Sequence, residues 1–365
     1  MKNIWIEGIM GVVIGDALGM PVQFVNRGEV KKSPIEGMKG YGTYNMPPGT
    51  WSDDSSMTLA TLDSISVVGK IDSDDIMKRF VEWYENGAYT PHGVAFDIGA
   101  TCEEAICRYG NLYSYKECGC TEEYSNGNGS LMRIMPVCLY VYENVKNGTI
   151  TEDEGLALIH EVSALTHAHL RSKMACGFYY FMVKAILDET GTLLYKLQKG
   201  VDDAIRFYHH DVTNLVQMAH YGRLFHLDKF AKVLEGEIKS TGYVVDSLET
   251  AVWSLITTES FRDGLLKAVN LGGDTDTIGA IAGGLAALHY GYNNIPEEWK
   301  NIIIKREEII TLCELVEQEK HKSDEEKVRE KATRNAEYLS MIDRGIAQLE
   351  AGKGQVHELI EVDDE

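Results

Sequence analysis

Two stretches of the chain gather hard oxygen donors at what reads as the start of a helix. In "GTWSDDSSM", residues 49 to 57, Ser52, Asp53, Asp54, Ser55 and Ser56 run together before the sequence turns apolar. In "NLGGDTDTIGAIAGG", residues 270 to 284, Asp274 and Asp276 alternate with Thr275 and Thr277 after two glycines. One acid at a helix start is explained by capping and by the helix dipole. A pair among several hydroxyls is explained less well. If the two stretches meet in space, carboxylates and hydroxyls without His or Cys suit Mg²⁺ or Mn²⁺, and Ca²⁺ more than zinc. Four carboxylates also suit a pair of ions.

Three further stretches carry chemistry. In "YSNGNGSLMRIMP", Ser125, Asn126, Gly127 and Asn128 form a loop able to turn several amides toward an anion, although Asn-Gly is also an ordinary turn. His167, in "LTHAHLRS", falls within an amphipathic helical pattern, where a histidine is usually a surface or satisfied core residue. Asp97, in "GVAFDIGATCEEA", stands among apolar and small residues, where a carboxylate needs a partner or a task; helix capping is the plain alternative.

The elements that must position these residues read as helices. Apolar residues recur at three- and four-residue spacing in "IEGIMGVVIGDALGM", "SMTLATLDSISVVG", "SDDIMKRFVEWYENG", "SLETAVWSLITTE" and "TIGAIAGGLAALHYG", and in one long run, "EGLALIHEVSALTHAHLRSKMACGFYYFMVKAILDE". Alternating strand patterns are nearly absent, so the fold expected is all-α, one compact domain over residues 1–315. Gly8, Gly11, Gly15 and Gly19 lay a bare stripe along the first helix, fit for close helix packing. Residues 316–365 are charge-dense and end acidic, and read as a helical or partly disordered tail.

Composition narrows the function. With 56 acidic and 35 basic residues the formal net charge is −21, which disfavours a nucleic-acid partner. Glu7 and Asp16 interrupt the apolar N-terminal run and no basic start or cleavage site accompanies it, so neither a membrane anchor nor a leader is expected, and the location expected is cytoplasmic. Seven cysteines, with "CGC" as the close pair, signal neither a disulfide framework nor a zinc site.

Together "GDALGMPVQF", "GTWSDDSSM", "FDIGAT", "NGNGSLMRIMP", "LTHAH" and "GGDTDTIGAIAGGL", in this order over roughly residues 5 to 300, resemble the ADP-ribosylglycohydrolase family. The resemblance implies an orthogonal helical domain with a di-metal cleft, where two Mg²⁺, or Mn²⁺, hold the ribose of a bound ADP-ribosyl group. It implies Ser52, Asp53, Asp54, Asp274, Asp276 and Thr277 as metal ligands, and Ser125, Asn126, Gly127 and Asn128 along the diphosphate. His167 would then flank the ribose, and Asp97 would be the general base, with Asp54 beside it in catalysis. Gln23 stands where many relatives carry a glutamate; an amide cannot take a proton, so a mechanism needing a carboxylate there is closed.

The activity implied is metal-dependent hydrolysis of the ribosyl bond of an ADP-ribosylated protein, arginine-linked above others, or of a small ADP-ribosyl conjugate. The alternative is a non-catalytic ADP-ribose-binding or immunity protein of the same fold, to which Gln23 lends weight. The tail faintly resembles the partner-wrapping arms of bacterial antitoxins, with a solvated helix as the plainer reading. A monomer is expected.

Overall fold

The computed structural model describes residues 3–319, and residues 1–317 form one compact unit. Among the described residues all regular structure is helical, as the three- and four-residue spacing requires. The helices of nine or more residues are α1 (Ile4–Gly19), α2 (Asp53–Val68), α3 (Ser73–Asn86), α4 (Ala100–Gly110), α5 (Met135–Lys146), α6 (Glu152–Ala164), α7 (Leu170–Asp188), α8 (Leu193–Tyr208), α9 (Val244–Ile256), α10 (Phe261–Val269), α11 (Thr275–Tyr290) and α12 (Arg306–Glu319). The antitoxin-like features of the tail lie outside the described residues.

The pair that organises the domain is α1 and α11, which share the most extensive contact in the molecule. A Cβ added to Gly11, Gly15 or Gly19 would lie 2.3, 1.9 and 2.2 Å from the backbone oxygens of Gly283, Gly279 and Thr275, so the two helices run antiparallel with their backbones touching. Gly8 differs: its face meets the Leu139 and Met135 side chains of α5. The stripe is thus shared between two neighbours.

This close approach sets the C-terminal end of α1 against the N-terminal end of α11, which carries Asp276. Gly15→Ala is therefore expected to destabilise the fold by about 1–3 kcal/mol, the usual cost of forcing extra volume into a packed interior. The gain in helix propensity, at most about 1 kcal/mol, does not offset it. Thermal unfolding checks this; a Tm equal to that of the parent would refute the backbone contact.

One sequence reading is corrected. The long apolar run over residues 154–189 belongs to two helices, α6 and α7, and His167 lies in the break between them. The break persists because Cys120 and the 166–168 segment exchange backbone bonds: Cys120 N donates to Thr166 O at 2.9 Å and Ala168 N donates to Cys120 O at 2.8 Å. The side chain of His169 then caps α7, accepting from Arg171 N. All seven cysteines are free thiols, six of them buried, which fits a packing role.

Candidate active site

The start of α2 is capped from outside itself. Ser52 occupies the N-cap position but makes no side-chain capping bond. Instead Asp16, fully buried on α1, accepts from Ser52 N at 3.0 and 2.9 Å, from Ser55 N at 3.1 Å, and from the hydroxyls of Ser52 and Ser55 at 2.9 and 2.5 Å. That arrangement supplies an acceptor for the Ser55 amide in the first turn and for the Ser52 amide before it, and leaves the Asp53 and Asp54 side chains free of the capping task. Asp16 was read in the sequence only as a break in an apolar run. An acid in the middle of a glycine-striped helix was the available signal.

The second acid cluster arrives on α11. Gly272 and Gly273, both at positive φ, carry the chain into the helix, and the turn is pinned by Phe24 N donating to Gly273 O at 2.6 Å and Gly273 N donating to Val25 O at 2.9 Å. Asp274 sits at the N-cap position of α11 without capping it. Its carboxylate accepts from Asn128 Nδ2 at 2.5 Å and from Gln23 Nε2 at 3.5 Å. Asp276 Oδ1 accepts from Thr277 N at 2.8 Å, and Thr277 Oγ1 donates to Asp54 Oδ2 at 3.5 Å.

The two clusters therefore meet. Carboxylate oxygens of Asp16, Asp54 and Asp276 lie within 4.8 Å of one another, all buried. Asp54 Oδ1 and Asp276 Oδ2 are buried and accept no hydrogen bond, and the same holds for Gln23 Oε1. Oxygens left so in a dry interior are costly. A divalent cation satisfies both deficits at once, and the donors are of the hard type that Mg²⁺ and Mn²⁺ take. With its oxygens committed to the start of α2, Asp16 acts as support for the cluster.

Electrostatics express the same crowding. Burial raises the Asp16 carboxyl to about 6, against the lowering effect of its Ser55 and Ser52 bonds. Burial and the facing carboxylates push Asp53, Asp54 and Asp276 well above the ordinary range, and burial raises Asp274. The cation-free folded protein thus retains protons that the unfolded chain has lost. These groups weaken the fold as pH rises above about 4, Asp16 through about 6.

A bound cation removes that penalty. The rise in Tm caused by saturating Mg²⁺ is therefore expected to be larger at pH 7.5 than at pH 5.0, where the site must first release protons. Calorimetry with Mg²⁺ and with chelator at the two pH values measures it, other titrating groups cancelling in the difference. An equal rise at both would contradict the assignment.

A cavity of about 260 Å³ is lined by Gln23, Asp53, Asp97, Asp274 and Thr277 together with Gly127, Asn128, Gly129 and His167. A larger groove of about 540 Å³, between Ile35 and Leu271, holds none of these residues. Volume alone would have pointed to the wrong face. Ser52, Asp54 and Asp276 lie beneath the floor of the smaller cavity. Ser125 and Asn126 are buried behind its wall, and the Asn126 side chain braces the loop by accepting from Ser172 Oγ at 3.0 Å and donating to Glu123 O at 2.9 Å.

Asp97 is not a cap. The N-cap of α4 is Gly99, without a side-chain bond, and Asp97 sits two residues earlier at φ 56°. It lines the cavity with Oδ2 buried and accepting no hydrogen bond. Burial together with the nearby carboxylates of Asp97, Asp276 and Asp53 drives the Tyr44 phenol upward, so it stays protonated. Tyr44 also packs on Phe96, ring centroids 5.3 Å apart. Nothing in the sequence spacing singled Tyr44 out, because it lies in an irregular loop. That loop is held by Thr43, whose backbone N donates to Pro21 O at 3.0 Å and whose hydroxyl donates to Gln23 O at 2.7 Å.

A neighbouring stretch of the lining is suited to an anion. Gly99, Ala100, Thr101 and Cys102, the uncapped first turn of α4, line the cavity, and open helix amides with the dipole behind them attract negative charge. His167 is buried, and burial with the nearby Arg133 lowers its imidazole to about 3, so it is neutral at physiological pH. The site thus brings a buried acid cluster that could hold a metal ion close to helix amides suited to an anion.

Comparison with known proteins gives the family. Residues 5–326 match a family described as ADP-ribosylglycohydrolase. The chain is 29% identical over 306 residues to the ADP-ribosylarginine hydrolase Tri1 of Serratia proteamaculans (strain 568), covering 84% of this chain and 76% of that protein. It is 30% identical over 295 residues to the ADP-ribosyl-[dinitrogen reductase] glycohydrolase of Rhodospirillum rubrum, covering 80% and 86%. A solved "ADP-ribosylglycohydrolase-related protein complex" superposes with a TM-score of 0.69 at 26% identity, covering 87% of this chain and 98% of that one.

Proposed function

The chain belongs to the ADP-ribosylglycohydrolase family, and from that premise we propose that it hydrolyses the bond between ADP-ribose and an arginine side chain of a modified protein, with two divalent cations, Mg²⁺ foremost, in its acid cluster. The observation that carries this reading is the meeting of Asp54 and Asp276, each with a buried, partnerless oxygen, beneath a cavity that also holds Asp97. Two relatives whose names specify ADP-ribosylarginine and ADP-ribosyl-[dinitrogen reductase] support the substrate class.

Ser52, Asp53, Asp54, Asp274, Asp276 and Thr277 would hold the cations. When bound, these supply positive charge that fixes the ribose hydroxyls. The wall formed by the first turn of α4, by Gly127 to Gly129 and by His167 takes the diphosphate side of the substrate, leaving the anomeric carbon over Asp97. Ribosyl transfer passes through an oxocarbenium-like state. As the C–N bond breaks, the guanidine leaves with the bonding electrons and takes up a proton, and the oxygen of a water bonds to the anomeric carbon. Asp97 removes the proton of that water.

Tyr44 lies close to Asp97 and, being neutral, adds no competing charge. Gln23 cannot serve as the base, and its amide instead donates to Asp274. With Asp53 and Asp274 assigned to the cations, the remaining carboxylate of the lining is that of Asp97.

The test is release of free ADP-ribose from an ADP-ribosylarginine protein, with Mg²⁺ or with chelator, the product identified by mass. Release that requires Mg²⁺ is expected, with the diphosphate intact. Release from serine-linked substrate alone would overturn the linkage. Equal release in chelator would overturn the cation requirement.

A further inference from the structure

His167 faces the cavity through one ring nitrogen and the protein interior through the other. On the cavity side, a Cβ placed on Gly127 would lie 3.3 Å from Nε2, and one placed on Gly129 would lie 3.4 Å from it. On the interior side, Nδ1 is 2.8 Å from the hydroxyl of Thr166. Which nitrogen carries the proton decides whether the cavity meets a donor or an acceptor.

That choice is made two residues away from the ring. Arg133 is wholly buried and stacked on Phe80, its guanidinium carbon 4.8 Å from the ring centroid. Its NH1 donates to Thr166 Oγ1 at 3.0 Å and to Gly129 O at 2.7 Å, and its NH2 donates to Val162 O at 3.2 Å. A guanidinium is always a donor. Thr166 Oγ1 must therefore accept from Arg133, and its single proton is left for another acceptor. Cys102, close by, is a weak one and a buried neutral thiol. The imidazole nitrogen is much the better, so Thr166 donates to Nδ1 and the ring proton resides on Nε2.

We propose that Arg133 and Thr166 are positioning residues that fix His167 as the neutral Nε2–H tautomer, so that the cavity presents its ligand with one directed N–H donor. The same guanidinium ties down the carbonyl of Gly129, which holds the glycine loop and the histidine in one register. A neutral donor suits a phosphate or ribose oxygen. It also adds no positive charge that would compete with cations for the acid floor. The donor's task on ADP-ribose rests on the functional reading above, whereas the tautomer itself does not.

The experiment has two arms on the full chain. In the first, ¹⁵N-histidine NMR of the ligand-free protein, with His167 assigned by loss of its signals in His167→Gln, should show Nδ1 as the unprotonated nitrogen and Nε2 as the protonated one. In the second, Thr166→Val removes the hydroxyl at nearly constant volume. It should disturb that tautomer and weaken ADP-ribose binding about tenfold, the loss of roughly one directed hydrogen bond, with kcat changed less than threefold. Thr166→Ser should restore both.

A proton on Nδ1 in the parent overturns the proposal, and this holds even if the valine variant fails to fold. So does a valine variant with unchanged tautomer and affinity. If the parent shows the expected tautomer yet does not bind ADP-ribose, the functional reading falls and the relay stands.

Discussion

Asp276→Asn is expected to lose cation-dependent turnover while its cation-free form becomes more heat-stable than the parent. The substitution keeps the volume and keeps an oxygen able to accept from Thr277 N. It removes the negative charge whose second oxygen is buried without a partner beside Asp54. In the cation-free protein that carboxyl must either carry a buried charge or hold a proton the unfolded chain has lost, and the amide removes this cost, which should stabilise the fold by about 1–3 kcal/mol at neutral pH. Loss of a direct ligand should cost cation affinity more than the roughly 10–100-fold seen when only an outer partner is removed. Isothermal titration with Mg²⁺ and thermal unfolding in chelator measure the two effects. Unchanged affinity would sink the metal assignment, and a lower Tm in chelator would show that Asp276 serves the fold first. The trade of stability for a strained, functional cluster is a common one.

The other large effect concerns Asp97. Asp97→Asn should lower kcat on ADP-ribosylarginine protein by about 10²–10⁴-fold, the range for loss of a general base, with ADP-ribose affinity within a few-fold of the parent. Asparagine is the right probe because the residue sits at φ 56°, a left-handed conformation that Asp and Asn tolerate better than most residues. An alanine variant would add backbone strain and confuse the reading. A fall in kcat under threefold would remove Asp97 from proton transfer and return attention to the floor carboxylates. Loss of binding along with turnover would make it a substrate contact instead.

Much of this was legible in the residues. The helix spacing gave the fold class, because an apolar face at three- and four-residue intervals has few other uses. The paired acids stood out because their chemistry is local to each stretch. What spacing could not show is that Asp53–Asp54 and Asp274–Asp276, from opposite ends of the chain, share a floor. That fact belongs to the α1–α11 contact.

Other features escaped for definite reasons. Asp97 had capping as an equal explanation until the position of Gly99 at the N-cap removed it. His167 was placed on a helix because its neighbours continue an apolar rhythm through a break that Cys120 enforces from a distant loop. Asp16 and Tyr44 act through tertiary bonds alone, and no local pattern reports those. Arg133 was visible in the "GSLMRIMP" stretch but had no assigned task, since its role depends on Thr166 lying behind it.

The backbone contact between α1 and α11 also has a consequence for how the molecule is made. One partner leaves the ribosome first and the other follows only with residues 275–290. For most of synthesis the first helix therefore waits with its bare, apolar side uncovered, and an exposed surface of that kind is prone to association with other chains. Neither acid group can find the other in that interval, so the nascent chain has no preformed place to capture a cation. Uptake of the proposed cations would thereby be deferred to the last stage of folding, and a chain stopped short of α11 would emerge both empty and sticky.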